Sequence, residues 1–153
     1  MRLKHAGLRV ALVSTFGRMI LDAMLDRLGW RTTRLIDATV AADEVGRGRP
    51  YPDSVIRAMA LTGVRRTETV ASVGATPIDL EMGAAAKCGL VVGLMNGSHG
   101  AEHLRHSPHT HLISHLGVLP RLVIGHGVMP TWSGASFHAT AADSRAATAS
   151  SQP

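Results

Sequence analysis

The chain has little of several things. A single cysteine, Cys88, occurs in 153 residues, so no internal disulfide can form and a reducing, cytoplasmic location is expected. Aromatic residues make up 3% of the chain against a hydrophobic fraction of 45%, so aliphatic side chains must carry the core. The scarcity also removes the stacking platform that single-stranded nucleic acid needs, and the basic residues are spread rather than clustered. Nucleic acid is therefore not an expected partner, and the formal charge of +5 fits phosphorylated ligands or simple solubility. No apolar run approaches the roughly 20 residues of a membrane-spanning helix. The opening MRLKHAGLRVALVSTFG lacks a small-residue cleavage site and reads as a strand leading into a helix, not as a secretory signal.

What is present alternates. Residues 8–13, 37–41, 69–73 and 90–95 are short apolar runs suited to buried parallel strands. Between them, residues 18–28, 53–61 and 78–88 carry helical spacing, each followed by a glycine (Gly29, Gly63, Gly89) at a C-terminal stop. Residues 101–105 suit a helical turn and 110–113 a short edge strand. This spacing predicts an α/β fold, a Rossmann-like parallel sheet with flanking helices. About 120 residues are foldable, enough for one domain with a real core. We expect residues 1–123 to form it and residues 124–153, rich in Gly, Ser, Thr and Ala, to be a disordered tail.

Ligands of such sheets sit at the carboxyl ends of the strands. Ser14 and Thr15 close the first strand, where hydroxyls and free N–H groups either bind an anion or cap the next helix. GRGRPYPD carries Arg47 and Arg49 before two prolines, and Asp53 is placed to cap the following helix. Arg49 suits bidentate phosphate recognition or is a solvated surface arginine. In SVGATPIDLEMG, a carboxylate at position 75 would point into the same crevice and could hold Mg²⁺. Ala75 cannot. Asp79, four residues on, caps or braces the turn.

Taken together, LRVALVSTFGRM, DATVAADEVGRGRPYPDSVIRAMALTGV, VGATPIDLEMGAAAKCG and VVGLMNGSHGAEHLRHSPHTH resemble the motif series of the haloacid dehalogenase superfamily. Within it the phosphonatase-like hydrolases, relatives of phosphonoacetaldehyde hydrolase, are the better match. The resemblance covers roughly residues 7–123. It implies an Mg²⁺-dependent hydrolase working through a phosphoaspartate. It places phosphate binding on Ser14, with Thr15 beside it, and on Arg49. Asp79 matches the second, supporting acidic position of the metal motif, and Ala75 stands in place of its leading ligand. Mg²⁺ is therefore the family's cofactor but is not expected on this chain.

The sequence departs from that family in three ways. No D-x-x-G-T or D-x-D motif for the nucleophile occurs, no helical cap segment is present, and Thr15 replaces the usual glycine. The only lysines, Lys4 and Lys87, lie in no cap, so a phosphonatase-type Schiff-base lysine is absent. In the family the nucleophile strand is central, between the strands ending at Ser14 and Ala75. Its loss would leave two unpaired ladders, and these predict marginal stability or self-association through exposed strand edges. Residues 121–129 are a conceivable but glycine-weakened filler. Three functional readings stand. The chain is a catalytically inactive hydrolase core, a non-catalytic phosphate- or phosphonate-binding module, or a fragment that completes a split enzyme. Six of nine histidines fall in NGSHGAEHLRHSPHTHLISH, where surface histidines are expected over a metal site.

Overall fold

A computed structural model describes residues 2–31, 33–97 and 100–125. Its five strands are short and all pair in parallel. β1 (Ala11–Val13) pairs with β2 (Ala38–Val40) in one sheet, and β3 (Ala71–Gly74), β4 (Leu90–Leu94) and β5 (His111–Ile113) form a second in the order β3-β4-β5. Six helices flank them: α1 (Arg2–His5), α2 (Arg18–Arg27), α3 (Asp53–Thr62), α4 (Pro77–Ala85), α5 (Ala101–Arg105) and α6 (Leu119–Gly125). The expected parallel α/β architecture is present.

β4 explains why its sequence is apolar throughout. Val91 faces a cluster with Val55 of α3, Leu80 and Met82 of α4, Cys88 and Leu104 of α5. Val92 faces the opposite cluster, with Ile113 and with Leu119 and Val123 of α6, against which Leu3 and Leu8 also pack. A strand covered on both faces cannot alternate with polar residues. The smaller sheet has its own cluster, Leu21 and Leu25 of α2 with Ala41, flanked by Leu12 and Ile36. α3 joins the two halves, because it packs on β1 and β2 while Val55 enters the β4 cluster.

The two sheets are separate ladders. Asp37 N donates to Val10 O and Ser14 N to Val40 O, so residues 10, 12 and 14 face β2. Leu90 N donates to Val70 O, so residues 70, 72 and 74 face β4. The intervening residues, Ala11 and Val13 in β1 and Ala71 and Val73 in β3, therefore aim their N–H and C=O groups away from their partners. Among the described residues no strand pairs with these edges. Leu8, just before β1, shares a cluster with Ala71 of β3, so these ends of the two strands lie near one another. Opposite charges stitch the amino ends of the first sheet: Asp37 accepts from Lys4 at 2.5 Å, Val10 N at 2.7 Å and Arg9 at 3.2 Å.

Some local expectations change. Gly29 and Gly63 hold left-handed turns (φ 66° and 73°) directly after α2 and α3, as expected. Gly89 does not end α4. That helix stops at Ala85, and the left-handed residue is Lys87 (φ 57°). Gly89 is needed for another reason, since a Cβ there would lie 1.9 Å from Glu68 O. Residues 119–125 form α6, so the first part of the suggested filler, residues 121–125, is helix and not strand. Residues 126–153, which hold most of the expected tail, lie outside the described residues.

Two outcomes follow from this arrangement. In hydrogen exchange, the amides of Val13 and Val73 exchange much faster than those of Leu12, Ser72 and Val92. Equal protection at Val13, Val73 and Val92 would mean that the free edges are in fact paired. The Asp37 carboxyl is pulled from 3.8 to about 2, first by Lys4 and then by the Val10 amide. A lowered folded value means that its stabilisation is complete above about pH 4 and lost as pH falls towards 2. Asp37→Asn therefore costs roughly 1 kcal/mol at neutral pH. In urea titrations at a series of pH values, that difference from the parent vanishes near pH 2. A difference that persists there would place Asp37's contribution outside its charge.

Candidate functional site

The site lies at the carboxyl ends of β1, β2 and β3, where three loops meet. After β3 the chain turns through Gly74, Ala75 and Thr76 into α4. Thr76 is the N-cap: its hydroxyl accepts from Asp79 N at 3.3 Å, and the Asp79 carboxylate reaches back to Thr76 N at 3.1 Å, a reciprocal capping box. Asp79 Oδ2 also accepts from Ala75 N at 3.1 Å and from Thr76 Oγ1 at 2.8 Å. Gly74 is required beneath it, because a Cβ there would stand 2.1 Å from Asp79 Cβ. The buried Asp79 is thus fixed by its own turn.

Its other oxygen faces Arg49. The β2–α3 loop carries Arg49 across to β3's end, where Nη1 donates to Asp79 Oδ1. The Arg49 side chain is 20% exposed. Its Nε is buried without a partner, and Nη2 makes no hydrogen bond to any described residue. Burial lowers the guanidinium's pKa from the usual arginine value, yet arginine keeps its charge in proteins. Arg47, by contrast, faces outward: it pairs with Asp53 at 3.1 Å and lies over the Tyr51 ring at 4.6 Å. Asp53 is therefore not the cap of α3. It belongs to the first turn, while Pro52 holds the N-cap position without a side-chain bond.

At the end of β1, Ser14 is half-buried and Thr15 exposed. Ser14 Oγ accepts from Phe16 N at 3.0 Å, a local turn. Neither residue caps α2. The N-cap is Gly17, and the free amide of Arg18 is taken by Asp43 of the β2 loop at 3.0 and 3.1 Å. Glu44 completes that loop, accepting from Arg18 at 2.7 Å and from Ala41 N at 2.9 Å. Arg18 holds Glu44 below the usual glutamate range, so it stays ionised. The structure thus brings Arg49 and Asp79 together but makes no hydrogen bond from Ser14 or Thr15 to either. Asp43 and Glu44 were not among the residues singled out in the sequence. Their acidic pair directly after an apolar strand was the available signal.

Other candidate places are less suited to this chemistry. A groove of about 240 Å³ between β1 and α2 touches Ser14, but its walls are apolar, with Leu12, Phe16, Met24, Leu28 and Trp30. Arg49, Ala75 and Asp79 do not line it. Among the described residues no group of three or more His, Cys, Asp or Glu side chains is placed to hold a metal. His103, His106 and His115 are exposed and His109 and His111 half-buried, while His99 lies outside the described residues. Burial pushes the Cys88 thiol up to about 11, which leaves it unreactive.

Comparison with known proteins gives the family. The sequence profile described as haloacid dehalogenase-like hydrolase matches residues 1–92, and the chain belongs to that family. A search of curated proteins found no match. Solved structures share the fold. A haloacid dehalogenase-like hydrolase from Bacteroides fragilis aligns with TM-score 0.67 at 24% identity, over 76% of this chain and 54% of its own. A phosphonoacetaldehyde hydrolase-like protein from Oleispira antarctica gives 0.72 at 18%, over 81% and 52%. A hydrolase from Pseudomonas syringae gives 0.65 at 21%, over 78% and 53%. The chain spans about half the length of these structures.

The capping box carries a direct test. Thr76→Ala removes the N-cap and one donor to Asp79, and is expected to cost about 1 kcal/mol in urea unfolding. An unchanged midpoint would show that α4 does not depend on this turn.

Proposed function

We propose that the chain is the phosphate- or phosphonate-binding core of a phosphonatase-like haloacid dehalogenase hydrolase, and that by itself it does not turn over substrate. One observation carries the reading. Arg49 is drawn across the strand ends to Asp79 while keeping Nη2 for a ligand. Two prolines hold the loop behind it, so a charge-assisted contact from Nη2 to an oxyanion needs little further ordering. Ser14 and Thr15 stand at the neighbouring strand end as the second contact. The ordered motif series supports the phosphonatase-like branch, and the ligand class is a small phosphorylated or phosphonate molecule.

The lack of turnover rests on the carboxylates. Attack on phosphorus needs a carboxylate with a free lone pair facing the ligand. Asp79 is taken by its turn and by Arg49, Asp43 by the Arg18 amide, and Glu44 by Arg18 and Ala41. Each of these three already accepts hydrogen bonds, which stabilises the carboxylate and weakens it as a nucleophile. A second reading is favoured by the unpaired edges of β1 and β3: another segment bearing a nucleophile could pair there and complete a split enzyme. The same edges would otherwise serve self-association.

Phosphorus-31 NMR of inorganic phosphate and methylphosphonate tests the anion site. Both are expected to bind at millimolar concentration, and Arg49→Ala is expected to weaken binding at least tenfold. No change in Arg49→Ala would remove the pocket from consideration. Hydrolysis of p-nitrophenyl phosphate by the purified chain, abolished by Asp79→Asn, would contradict the inactive reading. Activity gained only on mixing with a nucleophile-bearing fragment of a relative would favour the split enzyme, and no gain would count against it.

A further inference from the structure

We infer that Arg49 is the resident cation of this crevice, standing where the family would place Mg²⁺, so that oxyanion binding here is independent of divalent metal. The inference rests on the anion-site reading above and deepens it. Mg²⁺ needs six oxygen ligands in near-octahedral array and is usually anchored by one or two carboxylates. The turn after β3 offers Asp79 alone. Its Oδ2 accepts from Ala75 N, Thr76 N and Thr76 Oγ1, more donors than the oxygen has lone pairs. Its Oδ1 faces Arg49. A metal at Asp79 would have to displace a guanidinium or dismantle the cap of α4.

Position 75 adds nothing to such a site, and its surroundings are fitted to a methyl group. A Cβ on Gly97 would lie 2.3 Å from Ala75 Cβ, so the β4–α5 loop closes directly on that methyl. The backbone of that loop therefore lies against one side of position 75. The nearby acids are engaged elsewhere, Asp43 and Glu44 by Arg18. The residues present therefore do not fit a divalent cation.

What they do fit is a fixed positive charge with an open edge. Arg49 is anchored through Nη1, its Nε is buried and unpartnered, and Nη2 has no hydrogen-bond partner among the described residues. An arginine planted in this way supplies charge and direction together, which a metal would otherwise provide. Because Asp79 offsets part of that charge, the affinity should be modest and the site should prefer small, strongly charged oxyanions.

Two titrations of the intact chain test this. In the first, Mn²⁺, standing in for Mg²⁺, is followed by the electron paramagnetic resonance of the free ion. No Asp79-dependent uptake is expected up to about 1 mM. Uptake that disappears in Asp79→Asn overturns the inference, whereas uptake unaffected by that variant lies elsewhere and agrees with it. In the second, inorganic phosphate is titrated in EDTA and again in excess Mg²⁺. The two affinities should agree within about twofold, Arg49→Gln should lose at least tenfold, and Arg49→Lys should retain a good part. Binding that strengthens tenfold or more with Mg²⁺ overturns the inference and leaves the anion site standing. Absence of binding under both conditions sinks the anion site and Arg49's role together. The Mn²⁺ arm on the parent chain needs no Arg49 variant, so a poorly folding Arg49→Gln does not block the test.

Discussion

One carboxylate, buried in the first turn of α4, holds the functional end of this molecule together. Asp79 ties its own helix to the strand before it by accepting from Ala75 and Thr76, and ties that strand to the other sheet through Arg49. No strand joins the two sheets among the described residues. At the carboxyl ends of the strands, the ion pair does work that a shared backbone ladder does in a continuous sheet. At the amino ends the Lys4–Asp37 pair ties α1, which rests on the larger sheet, to the first residues of the smaller one. Between these ends α3 lies against both halves.

That arrangement has a chemical consequence. A mostly buried arginine needs a counter-charge, and among the described residues Asp79 is the only buried carboxylate. Once paired, each group limits the other. Asp79 Oδ2 is saturated by its turn and Oδ1 is committed to Arg49, while Arg49 Nη2 has no hydrogen-bond partner among the described residues. Membership of the haloacid dehalogenase-like hydrolases thus does not by itself confer the family's chemistry on this crevice. In the proposed reading, Ala75 and the commitment of Asp79 both favour binding without hydrolysis.

Much of the scaffold was legible because it follows periodicity. LVVGL is apolar throughout because β4 is covered on both faces, and Gly29 and Gly63 mark helix ends because a left-handed residue is needed there. Other features depended on distant partners. The cap of α2 comes from Asp43, 25 residues away, so a local reading of Ser14 and Thr15 could not find it. Arg49's partner lies 30 residues on, and no spacing rule reveals such a pair. Gly89 looked like a helix stop, but it is small because Glu68's carbonyl passes over it, and the stop fell on Lys87 instead. α6 did have a signal, since Pro120 in a first turn followed by Leu122 and Val123 is a helical start, but the adjacent glycines obscured it.

The most direct test of the account is a double-mutant cycle on the pair itself, with Arg49→Gln, Asp79→Asn and the combination compared by urea unfolding. The cycle separates the pair from the other bonds that Asp79 makes to its turn. A coupling of about 1–3 kcal/mol is predicted for a mostly buried, charge-assisted contact. Additive effects, with coupling near zero, would show that Arg49 and Asp79 do not hold the crevice together, and the reading of Arg49 as its resident cation would fall with them.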